Sequence, residues 1–424
     1  MTQWRVGEKE HAGSEVRVAI DIGSTVVKVA SVASDGELLS QKFYPREFDA
    51  GIARQVESIV DHTGLSDEDV LICSSANGGL RVGIICLTEH FSGATLRNQV
   101  LMAGANPVYV CGLDDHTGNL DQVDILIVGG GIDCAEGAPL EQRLRRFDAG
   151  KYRFSALAYT GNGHYVDLFL QLFPQATVIA NPLSEGLPGK STSVFDAIRR
   201  AYLDDLIHKQ GIGDLRKSLS KTIRPTPEVV NRGFQRIVFN RSRIEALGPC
   251  MLLDFGGATT DLHYTTDIIR EESEEKALPG SSVARYVFTD LGIVASRDST
   301  LVQLRGHPRL YDLLSRITGD EDIREMYQAL REGKFEPSPR LLSYACLFIA
   351  LDRFANGSML GIPAADLSKV AQILLTGGAA QILDVSVASR VVDLFVRGQG
   401  NPRILIDHCY RIWVDGMSWS APHQ

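Results

Sequence analysis

The sequence predicts an α/β fold organised in more than one unit, and three observations carry that prediction. Apolar strand-like runs alternate with helical stretches from Val16 to about Pro182, the pattern of a largely parallel sheet. The opening pattern "VAIDIGSTVVK" returns as "LLDFGGATTDLH" just after Cys250, so a second α/β unit begins there. At 424 residues the chain is also too long for one ordinary core.

The elements follow in order. Val16 to Ile22 and Val26 to Ala33 are apolar runs around a short Gly-Ser-Thr turn and read as two buried strands; "ELLSQKFYP" supplies a third. "IARQVESIVDHTG" has helical periodicity and a glycine stop at Gly64. "VLICSSA" and "RVGIICL" read as strands around the turn Asn77-Gly78-Gly79. "ATLRNQVLMAGA" reads as a helix, and "PVYVCG", "VDILIVGGG", "RFSALAYTGN" and "ATVIANP" as strands. From about Pro182 to Gly248 the pattern turns helical and polar, with a helix boundary at the two prolines of "RKSLSKTIRPTPEVV". The acidic run from Arg270 to Leu278 reads as a solvated loop or helix face rather than a metal site.

Composition narrows the function classes. The net charge of −9 gives no basic footprint, so no nucleic acid is expected as a partner, and an anionic membrane surface is disfavoured. The polar start "MTQWRVGEKEHAGSE" is no signal peptide, and "LLSYACLFIALDRF" is broken by charge before it spans a bilayer. No membrane association and a cytoplasmic location are the expectation. The seven cysteines include no CxxC pair, which argues against a disulfide framework, a zinc ribbon or an iron–sulfur site within one chain. The ten histidines form no HExxH or similar metal spacing.

The repeated hairpin raises a chemical question, because it sets a carboxylate at the end of a buried strand. An unpaired charge inside a protein is costly, so Asp21 and Asp254 need partners. Magnesium with a polyphosphate suits them, since Mg2+ keeps several waters and takes few protein carboxylates. Gly23, Gly256 and Gly257, with the small Ala258, let phosphate oxygens approach a nest of turn N–H groups. Ser24, Thr25, Thr259 and Thr260 add hydroxyl donors. A third element, "AQILLTGGAAQIL", is a buried strand, a turn and a helix start; Thr376, Gly377, Gly378 and Ala379 there let a flat base or sugar lie against the backbone.

Other candidates keep two readings. Asp261 either orients a water or caps its turn, and Lys28 either approaches a phosphate or faces solvent. Asp133 and Glu136 are both candidates for the base that positions an attacking water. His263 reads as structural.

The three elements together resemble the actin, sugar-kinase and heat-shock-chaperone ATPase superfamily. Asp21 to Lys28 would be its first phosphate motif, Asp254 to Asp261 its second and Thr376 to Ala379 its adenosine motif. The resemblance implies two ribonuclease H-like domains flanking an ATP cleft, with a helical insertion. Residues 14–181 would form the first domain with an inserted α/β segment, 182–248 the helical insertion and 249–424 the second domain. It implies ATP and Mg2+ as cofactors, Asp21 and Asp254 as the metal's carboxylates, and these two with Asp261 as the catalytic set.

Further stretches narrow the branch. "SSANGGLRVGIICLT", "DILIVGGGIDCAEG", "ALAYTGNGHYVDLF" and "ARYVFTDLGIVAS", with "DFGGATTDLH", resemble the glutamate-mutase accessory family, called MutL-type and unrelated to mismatch repair. The resemblance implies an ATP-driven chaperone or reactivating factor, with an adenosylcobalamin-dependent mutase as protein partner. Residues 182–248 would be the surface for that client. The loop Gly129-Gly130-Gly131-Ile132-Asp133-Cys134 departs from the family's Gly-Gly-Thr-Asp-Gly type turn. "DDHTGN" misses the D-x-H-x-x-G cobalamin pattern, its glycine falling one position early, so the chain is not expected to hold cobalamin itself. The alternatives are a small-molecule kinase, a hydantoinase- or oxoprolinase-like enzyme, a dehydratase activator with a bridging iron–sulfur cluster, and an actin-like filament.

Overall fold

The computed structural model describes the chain apart from residues 1–15, 24–25, 35, 48–50, 76–79, 116–119, 134–137, 184–193, 195, 199, 203–214, 221–222, 240–247, 271–282, 319–322, 358–362, 397–401 and 418–424. The acidic run and much of the 182–248 span therefore lie outside the described residues. Contacts gather the chain into two compact units, Met1–Arg46 with Val229–Gln424, and Glu47–Glu228. Those limits cut the chain at other points than the three spans expected from the sequence, which stay a proposal about domains.

The first unit opens with β1 (Val16–Ile22), β2 (Val26–Ala33) and β3 (Leu38–Pro45), an antiparallel meander. Both inner strands have the bounds expected from their apolar runs. The register sets Asp21 opposite Lys28, and Lys28 opposite Phe43.

The second unit begins with α1 (Ile52–Thr63), which buries Ile52, Val56, Ile59 and Val60 on one face and stops at Gly64 with φ 68°. There follow β4 (Val70–Ser74), β5 (Arg81–Cys86), α2 (Ala94–Met102), β6 (Asn106–Gly112), β7 (Val123–Gly130), α3 (Ala138–Arg146), β8 (Phe154–Gly161), α4 (Val166–Leu172), the two-residue β9 (Thr177–Val178) and β10 (Arg224–Pro225). Five of these strands form one parallel sheet in the order β6-β5-β7-β8-β9. Counted within the sheet, that is 2-1-3-4-5, a doubly wound order. The strands on either side of Asn77-Gly78-Gly79 do not pair with each other. β4 runs parallel to β10, whereas β5 lies between β6 and β7. The reason is visible in β5, which buries Val82 to Cys86 without alternation, as a strand covered on both faces must.

The chain returns to the first unit through α5 (Thr226–Phe239), with Pro227 in its first turn. β11 (Cys250–Phe255), β12 (Thr260–Thr265), β13 (Val283–Phe288), β14 (Gln372–Thr376) and β15 (Arg403–Ile406) form a mixed sheet in the order β13-β12-β11-β14-β15. Its first three strands are antiparallel neighbours, and β14 and β15 run parallel to β11, the ribonuclease H-like arrangement.

The faces of this sheet differ. Met251, Leu253, Phe255, Leu262, Tyr264 and Ile373 belong to one large apolar core. Residues of α6 (Arg297–Gly306), α7 (Leu310–Ile317), α8 (Ile323–Arg331), α9 (Pro339–Asn356) and α10 (Val385–Val392) complete it. The centre of that core is α9, the segment "LLSYACLFIALDRF"; its start is capped by Ser338, whose side chain accepts from the Leu341 N–H. No helix among the described residues is long and apolar enough to cross a membrane. The opposite face carries Asp254, Asp261, Thr376, His263 and Arg285, because strand residues two apart share a side. α11 (Arg411–Gly416) lies close against α5: a Cβ at Gly233 would strike the Ile412 carbonyl, and one at Gly416 the Val229 carbonyl.

Candidate functional site

The two hairpins, the glycine turn after β14 and the start of α11 all lie in the first unit. In the first hairpin Asp21 is 1% exposed, and Lys28 Nζ donates to its Oδ2 at 2.7 Å. Burial pushes the Lys28 ammonium down, but Asp21 and Asp254 outweigh it and hold its pKa above the ordinary lysine value. The same ammonium sits 5.2 Å from the Tyr410 ring, which packs against Phe43 at 5.3 Å between centroids. Lys28 thus faces the carboxylates and not solvent. Tyr410 has φ 48°, the one positive φ outside glycine among the described residues. The turn is held by a Gly23 N–H bond to the Val26 carbonyl at 2.9 Å, and Arg46 donates to the Gly23 carbonyl. Ser24 and Thr25 lie outside the described residues.

In the second hairpin the register sets Asp254 opposite Asp261 on one side and Thr376 on the other. The sequence spacing alone left the direction of Asp261 open. The turn from Gly256 to Thr259 closes with the Gly256 N–H on the Thr259 carbonyl at 2.8 Å, and this returns Asp261 to the Asp254 side. Asp261 is neutralised by Arg285, whose Nε donates to Oδ1 at 2.9 Å and whose Nη2 shares that oxygen. Thr259 also donates to Asp261 Oδ2. Arg285 is 3% exposed and is a site residue that sequence reasoning missed. Its signal was there, an arginine inside the apolar strand "VARYVF", which demands an acid nearby.

Asp254 is different. No hydrogen bond or ion pair among the described residues reaches its carboxylate. Burial, with Asp261 adding to it and Lys28 opposing, raises its pKa to about 7. The backbone crowds it as well: Gly377 has φ 88°, and a Cβ there would strike Asp254 Oδ1 and the Phe255 backbone. Only glycine lets the β14 turn close on this carboxylate.

The remaining predicted residues divide. The Gly257 carbonyl accepts from the Val294 and Ala295 N–H groups at 2.8 Å each, and Ser296 donates to the Ala258 carbonyl, so the second turn is anchored. Thr260 is fully buried on the core side, and its hydroxyl donates to the Leu291 carbonyl. Thr376 donates to Asp407 Oδ2 at 3.0 Å. Asp407 in turn accepts from the Arg411 and Ile412 N–H groups and so caps α11. Burial raises the Asp407 pKa against those bonds. Asp407 and Tyr410 were missed by sequence reasoning; the signal was a strand, "RILI", running straight into an aspartate. An open groove of about 620 Å³, lined by Leu374, Leu405, Ile237, Ile412, Arg411 and Asp407, the partner of Thr376, has a size suited to a small ligand. Gly378 and the buried Ala379 begin the short helical turn that follows Gly377.

Other candidates have structural duties. His263 is wholly buried, with Nδ1 3.0 Å from Asn231 Oδ1. Burial and Arg285 hold its pKa well below the ordinary value, so it is a neutral core residue. Asp133, in the second unit, accepts from the Gly163 N–H at 2.7 Å and from Asn181 at 3.0 Å and ties loops together; Glu136 lies outside the described residues. Among the described residues no three His, Cys, Asp or Glu side chains gather as a metal cluster. Five of the described cysteines are buried, and Cys409 is exposed.

One curated relative and one family profile carry the same family name. The chain is 22% identical over 267 residues to Protein MutL of Clostridium tetanomorphum, a match spanning 58% of this chain and 57% of that protein. Among solved structures, component A of (R)-2-hydroxyglutaryl-CoA dehydratase from Acidaminococcus fermentans aligns over 95% of this chain and 97% of its own, at 8% identity and TM-score 0.33. The activator of 2-hydroxyisocaproyl-CoA dehydratase from Clostridium difficile, with bound ADPNP, aligns over 95% and 92%, at 10% identity and TM-score 0.30. The sequence profile of the MutL protein family matches residues 17–381. That span holds both hairpin carboxylates, the Asp261–Arg285 pair and the Thr376 turn, and the chain belongs to the MutL protein family.

Proposed function

We propose that this protein binds ATP with Mg2+ and hydrolyses it as the accessory or reactivating protein of an adenosylcobalamin-dependent mutase such as glutamate mutase. The observation that carries the nucleotide part is Asp254. It lies within electrostatic reach of two neutralised pairs, Asp21–Lys28 and Asp261–Arg285, yet among the described residues it has no hydrogen-bonded counter-cation of its own. A carboxylate so placed fits a hydrated divalent ion shared with phosphates, and Gly377 puts no side chain against it. The ion would neutralise phosphate charge and order water when bound.

The chain's own residues do the rest of the work. Asp21 and Asp254 would hold the ion's waters. Lys28 carries a fixed positive charge toward the phosphates. The Gly257 and Ala258 N–H groups would receive phosphate oxygens, and the anchored Gly257 carbonyl keeps the second turn in shape. Arg285 holds Asp261 in place, where it would orient a water. The groove beside Thr376 and Asp407 would take the adenosine end. Phosphoryl transfer is mostly positioning and electrostatic stabilisation, and this arrangement offers both. The mutase part rests on the family, whose members accompany such enzymes.

The test is ATP hydrolysis by purified protein with Mg2+, with and without a cobalamin mutase from the same genome, beside Asp21→Ala and Asp254→Ala. Stimulation by the mutase that both variants abolish is the expected result. Hydrolysis indifferent to the mutase but stimulated by a small alcohol or acid acceptor would replace this reading with a kinase.

A further inference from the structure

We infer that Lys28 competes with the divalent cation for Asp21, so that metal enters this site together with nucleotide phosphates and not alone. The inference rests on the nucleotide reading above and deepens it by naming the form in which the ligand binds.

The geometry is specific. Asp21 is almost wholly buried, and its Oδ2 accepts from Lys28 Nζ at 2.7 Å. The pair is built in by the strand register, which sets the two residues directly opposite. Phe43 opposite Lys28 in β3, and the Tyr410 ring 5.2 Å from the ammonium, wall the lysine toward the carboxylates. The chain alone therefore already gives Asp21 a counter-cation. Asp261 is likewise balanced by Arg285.

Charge counting then decides the order of binding. Asp21 with Lys28 sums to zero, as does Asp261 with Arg285. Among the described residues Asp254 remains to attract a bare divalent ion, which would also be repelled by the ammonium beside it. Asp407 is a weaker influence on Asp254, and its oxygens are already taken by Thr376 and two backbone N–H groups. Phosphates change the balance. Lysine is a flexible point charge with three donors, and one of them is used on Asp21 among the described residues. Phosphate oxygens can accept from the others and draw the ammonium off Oδ2. Asp21 is then freed for the waters of the metal that the phosphates bring with them.

The experiment is Mn2+ binding to the full chain, followed by electron paramagnetic resonance, with and without ADP. Wild type is expected to bind Mn2+ weakly alone and stoichiometrically with ADP. Lys28→Met, which removes the competing charge, is expected to bind Mn2+ without nucleotide at least about tenfold more tightly than wild type. Lys28→Arg is expected to bind as weakly as wild type. Because Lys28→Met leaves Asp21 without its ion pair, Lys28→Gln is the second variant; it keeps a hydrogen bond to Asp21 without the charge. Its Mn2+ affinity should rise too, and Mn2+ should raise its melting temperature more than that of wild type. Tight Mn2+ binding by wild type without nucleotide overturns the inference. So does unchanged Mn2+ affinity in a folded, uncharged Lys28 variant. If ADP fails to bind while the metal-only results come out as expected, the nucleotide reading falls and the role of Lys28 stands.

Discussion

The two hairpins share a pattern and differ at one position that decides their electrostatics. Asp21 and Asp254 each lie one residue before the end of an inner strand that leads into a glycine turn, and in each case the residue seven positions later is the cross-strand partner. In the first hairpin that residue is Lys28, and the carboxylate is neutralised inside its own hairpin. In the second it is Asp261, and two like charges face each other across the ladder, a destabilising pair unless something intervenes. Arg285 from the next strand intervenes, but for Asp261 only. The difference teaches that one backbone motif supplies two unlike half-sites, one holding a cation of its own and one left short of it. A cation-bearing ligand is what would complete the second.

The largest expected effect comes from breaking the Asp261–Arg285 pair. Arg285→Met leaves a buried carboxylate uncompensated beside Asp254 and should cost about 3–5 kcal/mol, read from urea unfolding. Adding Asp261→Asn should recover most of that loss, because the lone charge is then gone. A single-variant loss under about 1 kcal/mol would mean Arg285 is not the residue that keeps the second hairpin together. Gly377→Ala comes next. At φ 88°, with its new Cβ meeting Asp254 Oδ1 and the Phe255 backbone, it should cost roughly 1–3 kcal/mol and weaken nucleotide binding. Gly378, with open space around it, should tolerate alanine with little loss of stability. Equal losses at both glycines would remove the reason given for the close approach at Gly377.

How much of this was legible in the sequence follows from the same contrast. The hairpins were legible, because long apolar runs bounded by Gly-rich turns fix strand ends locally, as at Val16–Ile22 and Val26–Ala33. The pairing of Lys28 with Asp21 was not, since a lysine on a strand points into or out of a site according to what packs beyond its sheet. Tyr410 and Phe43 decide that, and they are far apart in the chain. Arg285 and Asp407 escaped for a related reason. Each has its meaning only through a partner on another strand, and register between distant strands is set by tertiary packing. The turn at Asn77-Gly78-Gly79 shows the opposite error, where a strong local turn signal was outweighed by two strands each better buried elsewhere.

Asp254→Asn sharpens the comparison from the other side. The folded carboxyl has a pKa of about 7, well above the ordinary carboxylate value in an unfolded chain. Between about pH 4 and 7 the folded state therefore holds a proton that the unfolded chain has released. Stability falls as pH rises through that window. Asparagine removes the penalty, so the variant should be more stable than wild type by about 1–3 kcal/mol at pH 8 and little changed at pH 4. It should also lose Mg2+-dependent nucleotide binding. A variant that is less stable at pH 8 would show that Asp254 has a counter-cation within the chain.

The smallest effect has the opposite sign and lies on the same face of the same sheet. His263 stands opposite Arg285 in the ladder, is fully buried and is held neutral by that burial and by the guanidinium. Below about pH 6.5 the unfolded chain takes up a proton that the folded state refuses. Stability then falls as pH falls, by at most about 1.4 kcal/mol per pH unit from this group. His263→Gln, which can keep a bond to Asn231, should flatten the acid limb below pH 6.5 and leave stability at pH 8 within about 1 kcal/mol. If the acid limb is unchanged, neither burial nor the charge of Arg285 holds His263 neutral. The guanidinium would then act on Asp261 alone, and the second hairpin would be more sharply partitioned than the shared face suggests.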